Sequence, residues 1–312
     1  EDYASSFMIF NKNIKDFPNG VFLNNARYYI ALSSLELQDT TSAVLYYTLI
    51  AESENKEYKE DALIFLARRY YDNKNFELSN KYYTALYDLV SSNSLYREAV
   101  IRLMYGNENI DLSLAFQYAN KVLKLDKKDN WLIAKANIIL ARYEYENGNY
   151  VKARDLFKTV INFSDYDDGA EAKYFLAYLT FLDDSLIIAE NMIFELAENY
   201  SNDYFIAKSF ILLSDIYVLQ SNIFQARATL ESIINNYDGS DLIKIAKDKI
   251  NLLKEEVVED FHNELQPYFD IQEEDVDYFF DHDTTYMIDE NYRVIMPDTL
   301  NFIKEDTIYE DK

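Results

Sequence analysis

Small residues recur along this chain with a step of 36 to 37 positions, and that repeat constrains the fold more than any single motif. In each copy one small residue is followed five positions later by another: Ala26/Ala31, Ala62/Ala67, Ala136/Ala141, Ala172/Ala177 and Ser209/Ser214, with Ala99/Met104 as the exception. Sixteen or seventeen residues after the first marker comes a further small residue: Ala43, Ser79, Ala115, Ala153, Ala189 and Ala226. Both sites sit in segments with the apolar spacing of a helix, so each unit is two helices that approach closely. One such pair cannot bury its own apolar face, and neighbouring copies must stack into an all-α solenoid.

Where the second helices begin is also written in the sequence. Four residues before each second-helix marker stands Asp39, Asn75, Asp111, Asn149, Ser185 or Asn222, all types whose side chains accept from a first-turn amide. The predicted pairs are 21–37 with 40–53, 58–72 with 75–90, 94–105 with 111–124, 130–147 with 150–162, 168–182 with 185–199, and 203–220 with 223–236. Glycine is placed only in turns: Gly106 and Gly148 within a pair, Gly20, Gly169 and Gly239 between pairs. The third pair is predicted to be irregular, with its first helix shortened by Gly106-Asn107-Glu108-Asn109.

Both ends depart from the repeat. Residues 2–15 read as a second helix lacking its first, the expectation for an array cut from a longer one. Ala246 continues the step from Ser209 and places a charged capping helix at about 240–262, so residues 1–262 form the solenoid and 263–312 a separate tail. That tail carries 15 acidic and 3 basic residues of a chain whose net charge is −25. A short hairpin is predicted at 284–296 around Asp289-Glu290-Asn291.

Charge and composition narrow the function. A strongly negative field repels phosphate backbones, so nucleic acid is not an expected partner. No stretch reaches 18 apolar residues, so no membrane span is expected. Two His, no Cys, and no Gly-rich phosphate loop or Gly-x-Ser-x-Gly elbow leave no catalytic constellation, and no enzyme activity, cofactor or metal is expected. The acids Asp275, Asp277, Asp281 and Asp283 lack the turn glycine that a calcium loop needs.

At this level of detail the repeat resembles the tetratricopeptide repeat. Leu66-Ala67, Tyr70, Phe76, Ser79 and Tyr83 match its pattern, as do Leu140-Ala141, Tyr150, Ala153 and Phe157, and Leu213-Ser214, Tyr217, Ile223, Ala226 and Leu230. The resemblance covers residues 2–262 and implies a right-handed superhelical solenoid of antiparallel helix pairs. The segments Asp167–Ala177 and Phe224–Leu230, the latter running into Asn236-Tyr237, are similar to long envelope proteins of this family from Bacteroidota. They are similar too to outer-membrane assembly lipoproteins and cell-division coordinators of Gram-negative bacteria. This implies a periplasmic, outer-membrane-associated place, the cytoplasm being the alternative.

The family geometry puts a concave surface on the first helices. Carried over by position, its partner-binding residues are Tyr28, Arg68, Tyr71, Tyr105, Lys135, Arg142, Tyr145, Tyr174 and Tyr178. In the tail, Tyr268, Phe269, Phe279, Phe280, Tyr286 and Tyr292 form an aromatic series expected to dock on a partner or on the chain's own solenoid. The expected function is a non-catalytic protein–protein interaction scaffold, a subunit of an envelope complex for outer-membrane assembly, secretion or transport. The competing readings are a structural spacer within a larger complex and a cytoplasmic adaptor that takes peptides in its concave groove.

Overall fold

Fourteen helices follow one another through the described residues, and the small-residue repeat lies at their crossings. The computed structural model describes residues 2–90, 92–125 and 127–255, together with 287–288 and 294–295. Contacts divide the chain into two compact units that meet between Ser164 and Asp165. The sequence carries no sign of this division, because the repeat step runs through it from Ala136 to Ala172.

The first unit holds α1 (Tyr3–Asp16), α2 (Leu23–Glu36), α3 (Thr40–Ala51), α4 (Lys59–Asp72), α5 (Phe76–Leu89), α6 (Asn93–Asn107), α7 (Leu112–Leu125), α8 (Asn130–Glu146) and α9 (Tyr150–Ile161). The second holds α10 (Asp167–Leu182), α11 (Leu186–Asn199), α12 (Asp203–Leu219), α13 (Ile223–Asn236) and α14 (Ser240–Glu255). Within each unit a helix packs on its sequence neighbours, forming the hairpins α2/α3, α4/α5, α6/α7, α8/α9, α10/α11 and α12/α13. In the second unit α14 follows the last hairpin, and α1 precedes the first hairpin of the first unit. Residues 256–262 of the predicted capping helix lie outside the described residues. A pair of two-residue strands, β1 (Met287–Ile288) and β2 (Val294–Ile295), runs antiparallel with Met287 opposite Ile295.

The markers occupy the closest crossings. All six second-helix markers, Ala43, Ser79, Ala115, Ala153, Ala189 and Ala226, are 0% exposed, and Ala246 is too. A side chain no larger than a methyl or hydroxymethyl group lets two backbones approach, and any larger one would need the helices to part. Where serine replaces alanine its hydroxyl is satisfied: Ser79 Oγ donates to the Ala67 carbonyl across the hairpin at 3.1 Å. Larger side chains fill the space beside these crossings. Tyr83, Phe157, Leu66, Leu86 and Ile50 are buried, and each aliphatic one contributes about 1.5–3 kcal/mol by leaving water.

The capping prediction holds in four of six hairpins. Side chains of Asp39, Asn75, Asp111 and Asn222 accept from the amides of Ser42, Leu78, Leu114 and Gln225. Asn149 and Ser185 stand at the N-cap without that bond. Asn149 instead donates its side-chain amide to Glu144, at 2.8 Å, where Glu144 ends buried in α8.

Two glycines are in helices rather than turns. Gly169 lies in the first turn of α10, and Gly106 in the last turn of α6. A Cβ at Gly106 would come within 2.1 Å of Asn80 Oδ1, so the glycine is there for the approach of α5. Asn80 then donates to Asn107 Oδ1 at 3.0 Å. The expected shortening of α6 is therefore not observed: it runs 15 residues, and Met104 is wholly buried in the small-residue position.

Every hairpin but the third turns through the same left-handed residue. Gln38, Lys74, Gly148, Asp184 and Ser221 have φ between 57° and 75°. The amide after each donates five residues back, as from Asn75 to the Tyr70 carbonyl, and its own amide donates three back, as from Lys74 to Tyr71. This is the αL helix ending with paired 6→1 and 5→2 bonds. The corresponding residue of the third hairpin is Ile110, whose branched side chain is a poor fit for positive φ. There the turn differs, and Asp111 donates only four back, to Asn107.

Candidate functional site

First helices carry most of the residues expected to bind partners, and in the first unit they form a continuous succession of seams: α2 with α4, α4 with α6, α6 with α8. The rings predicted as docking anchors are largely packed on other aromatic rings of the chain. Tyr28 stacks on Tyr58 with centroids 4.1 Å apart and presents an edge to Tyr47 at 6.3 Å. Tyr71 meets Phe76 and Tyr83 edge-on. Tyr105 stacks on the half-exposed Trp131 at 5.8 Å, and Tyr145 leans on Tyr150 at 5.5 Å.

The cations expected to be anchors have partners within the unit. Arg68 of α4 makes a two-pronged bond to Glu98 of α6, at 2.7 and 2.6 Å. Glu98 also accepts from the buried Tyr83 hydroxyl at 3.0 Å. The bond from Arg68 is the main reason the Glu98 carboxyl is held below its usual range, and Tyr83 adds to it. Burial, reinforced by the Glu98 charge, pushes the Tyr83 phenol up. Lys135 and Arg142 of α8 both reach Glu108, which follows α6, at 2.7 Å. Reversing Arg68 and Arg142 to glutamate would therefore set carboxylates against Glu98 and Glu108, and a lost partner would report damage to the seams as readily as a lost contact. Sequence reasoning missed Glu108 because it lies in a stretch that read only as a helix-shortening turn.

In the second unit the expected anchors are enclosed. Tyr174 and Tyr178 are 0% and 2% exposed and lie parallel at 6.4 Å, so neither offers an open ring face, contrary to a surface role. The tail residues Tyr268, Phe269, Phe279, Phe280, Tyr286 and Tyr292 lie outside the described residues, as do the acids around His282.

Among the described residues, space is left open between α2 and α4. A cleft of about 450 Å³ is lined by Tyr28, Tyr47, Ile64 and Phe65 below and by Asp61, Arg68, Arg69 and Asp72 around it. Tyr47 comes from α3 and packs on Phe65 with centroids 4.5 Å apart. Burial, then the neighbouring Tyr28 and Asp61, raise the Tyr47 phenol to about 12. Burial and the Asp61 charge raise Tyr28 as well. Of these residues Tyr28, Asp61 and Arg68 fall on the concave face by family position. Tyr47 and Phe65 were not expected there, because the floor takes one ring from a second helix and one from the next hairpin's first helix. No spacing rule within a single repeat joins them.

Within each unit the helices have a tetratricopeptide-like solenoid fold: antiparallel pairs on a 36 to 37 residue step, with small residues at the crossings. Solved structures similar to the chain include a tetratricopeptide repeat protein from Parabacteroides merdae, 17% identical over 78% of this chain and 91% of that one, with a TM-score of 0.40. The C-terminal part of a TPR repeat-containing protein from Cytophaga hutchinsonii is 17% identical over 78% and 94%, with a TM-score of 0.48. PilW, a type IV pilus biogenesis factor, is 14% identical over 72% and 99%, with a TM-score of 0.45. No protein-family model matches the sequence, and no curated protein matches it.

Proposed function

We propose that the chain is a non-catalytic scaffold that holds other proteins, with the first-helix face of its first unit as the docking surface. The observation that carries this is the cleft between α2 and α4, an aromatic floor with a charged rim on a face otherwise closed by the chain's own ion pairs. Apolar floors with a few polar groups at the edge are the usual build of a recognition pocket. The charged side chains at the seams hold one another, an arrangement suited to fixing a surface rather than to moving protons or electrons.

The resemblance to envelope proteins supports a place in a periplasmic, outer-membrane-associated complex. Among the described residues no helix is long and apolar enough to cross a membrane, so the chain's own helices there supply no membrane span. The competing role is a spacer whose contacts lie only at the ends of the array. Photo-cross-linkers at the exposed rim positions Arg69 and Asp72, with Glu77 on α5 as control, separate the two in native envelopes. A shared partner captured from both rim positions and not from Glu77 is the expected result. Cross-links confined to the ends, tested at Met8 and Lys244, would overturn it in favour of the spacer.

A further inference from the structure

At the other first-helix seams within each unit, a cation from one hairpin rests on an acid or an aromatic ring of the next. In the first unit Arg68 holds Glu98, Arg102 of α6 lies 4.2 Å from the centre of the Tyr71 ring of α4, and Lys135 and Arg142 hold Glu108. In the second, Lys208 of α12 lies over the Tyr174 ring of α10 at 5.3 Å, and Lys249 of α14 donates to Asp215 of α12 at 2.7 Å. The α2/α4 seam has the rings and the acid, but neither of the arginines at its rim rests on them. Among the described residues Tyr28, Tyr47, Phe65 and Asp61 make no ion pair or cation–π contact with any Lys or Arg.

Resting on the scaffold reading above, we propose that this cleft is a subsite for one basic side chain, arginine or lysine, of a partner protein. The guest would take the place that a neighbouring hairpin's own cation fills at the other seams. Aromatic faces attract a cation through their quadrupole, most strongly where water is partly excluded, and the half-buried Tyr28 and Phe65 beside the buried Tyr47 give such a floor. The rim agrees in sign. Arg68 is neutralised by Glu98, leaving Asp61 and Asp72 against Arg69 alone. Arg69 also borders a second recess with Thr40, Thr41, Val44, Tyr70 and Asn73, so it stands between the two rather than over the rings. The net charge of −25 would bring basic segments toward the chain and turn acidic ones away.

The full chain, labelled with carbon-13 in its tyrosine rings, is titrated with N-acetyl-arginine amide and, separately, with N-acetyl-citrulline amide, which has the same shape and no charge. Saturable shifts of the Tyr28 and Tyr47 rings with arginine only are expected, with at least fivefold weaker binding in Asp61→Asn. Phe65→Leu keeps the cleft apolar and removes a ring, and it should weaken binding by a similar factor. Equal shifts from citrulline, or arginine binding unchanged in both variants, would overturn the subsite. If the rim cross-links persist while arginine leaves the rings unmoved, the scaffold stands and the subsite fails. If arginine binds and no partner is captured, the scaffold reading fails instead.

Discussion

Four of the five left-handed hairpin turns are held by residues with a side chain, and that conformation is a store of strain that substitution can release. Lys74 at φ 58° and Gln38 at φ 62° are both exposed, and neither side chain hydrogen-bonds in the turn. Left-handed backbone costs an L-residue about 1–2 kcal/mol. Glycine has no such cost but loses about 0.5–1 kcal/mol more conformational freedom on folding. Lys74→Gly should therefore stabilise the first unit by roughly 0.5–1 kcal/mol. Gln38 lies in a separate hairpin, so Gln38→Gly/Lys74→Gly should add to about 1–2 kcal/mol, or roughly 2–8 °C in midpoint. Gly148→Ala should do the reverse and cost on the order of 1 kcal/mol, since glycine already holds φ 75° there with nothing within 4 Å to clash. The decisive control is Ile110→Gly. This residue occupies the same place in the third hairpin without positive φ, so glycine brings its entropy loss and relieves nothing. Urea unfolding followed by circular dichroism, compared at equal slope, reads all four. A fall in midpoint for Lys74→Gly, or a rise for Ile110→Gly equal to that of Lys74→Gly, would refute the reasoning.

Other expectations follow from the crossings and the titrating groups. Ala153→Leu and Ala189→Leu place three extra carbons at fully buried positions and should destabilise by about 1–3 kcal/mol in thermal or urea unfolding; an unchanged midpoint would mean that the helices do not cross there. The Glu98 carboxyl is depressed in the fold by Arg68, so its contribution is present above the unfolded value of about 4.3 and is lost as pH falls through the lower folded value. Glu98→Gln should flatten the acid limb of the stability profile, and an unaltered limb would remove Glu98 from its cause. In alkali the sign reverses. Tyr47 and Tyr217 are raised to about 12, so the stability they contribute is intact below about pH 10 and disappears as pH climbs through 12. Ultraviolet titration of tyrosinate should show a late fraction that ionises together with loss of helical signal. All 29 tyrosines ionising in one early step with helicity intact would contradict the burial.

Much of the fold was legible because it is local. The spacing Ala136/Ala141/Ala153 places a crossing wherever it occurs, and Asp39 or Asn75 can cap only the helix that begins beside it. Predicted boundaries such as 203–220 with 223–236 therefore fall within a residue or two of α12 and α13. Local reasoning failed where a residue's partner lies a repeat away. Gly106 looks like a turn until Asn80, from the preceding hairpin, is set against it. Arg68 and Arg142 look like free anchors by position, yet Glu98 and Glu108 from other hairpins neutralise them. Tyr174 and Tyr178 belong to the concave surface by family position, yet both are buried. Spacing along one chain encodes which face a side chain is on. It does not encode which charge or ring the next hairpin brings to that face. The repeat pattern alone determined the helix pairs and their close crossings. Only the stacking of one hairpin on another decided which seams the chain closes with its own cations and which, between α2 and α4, it leaves open.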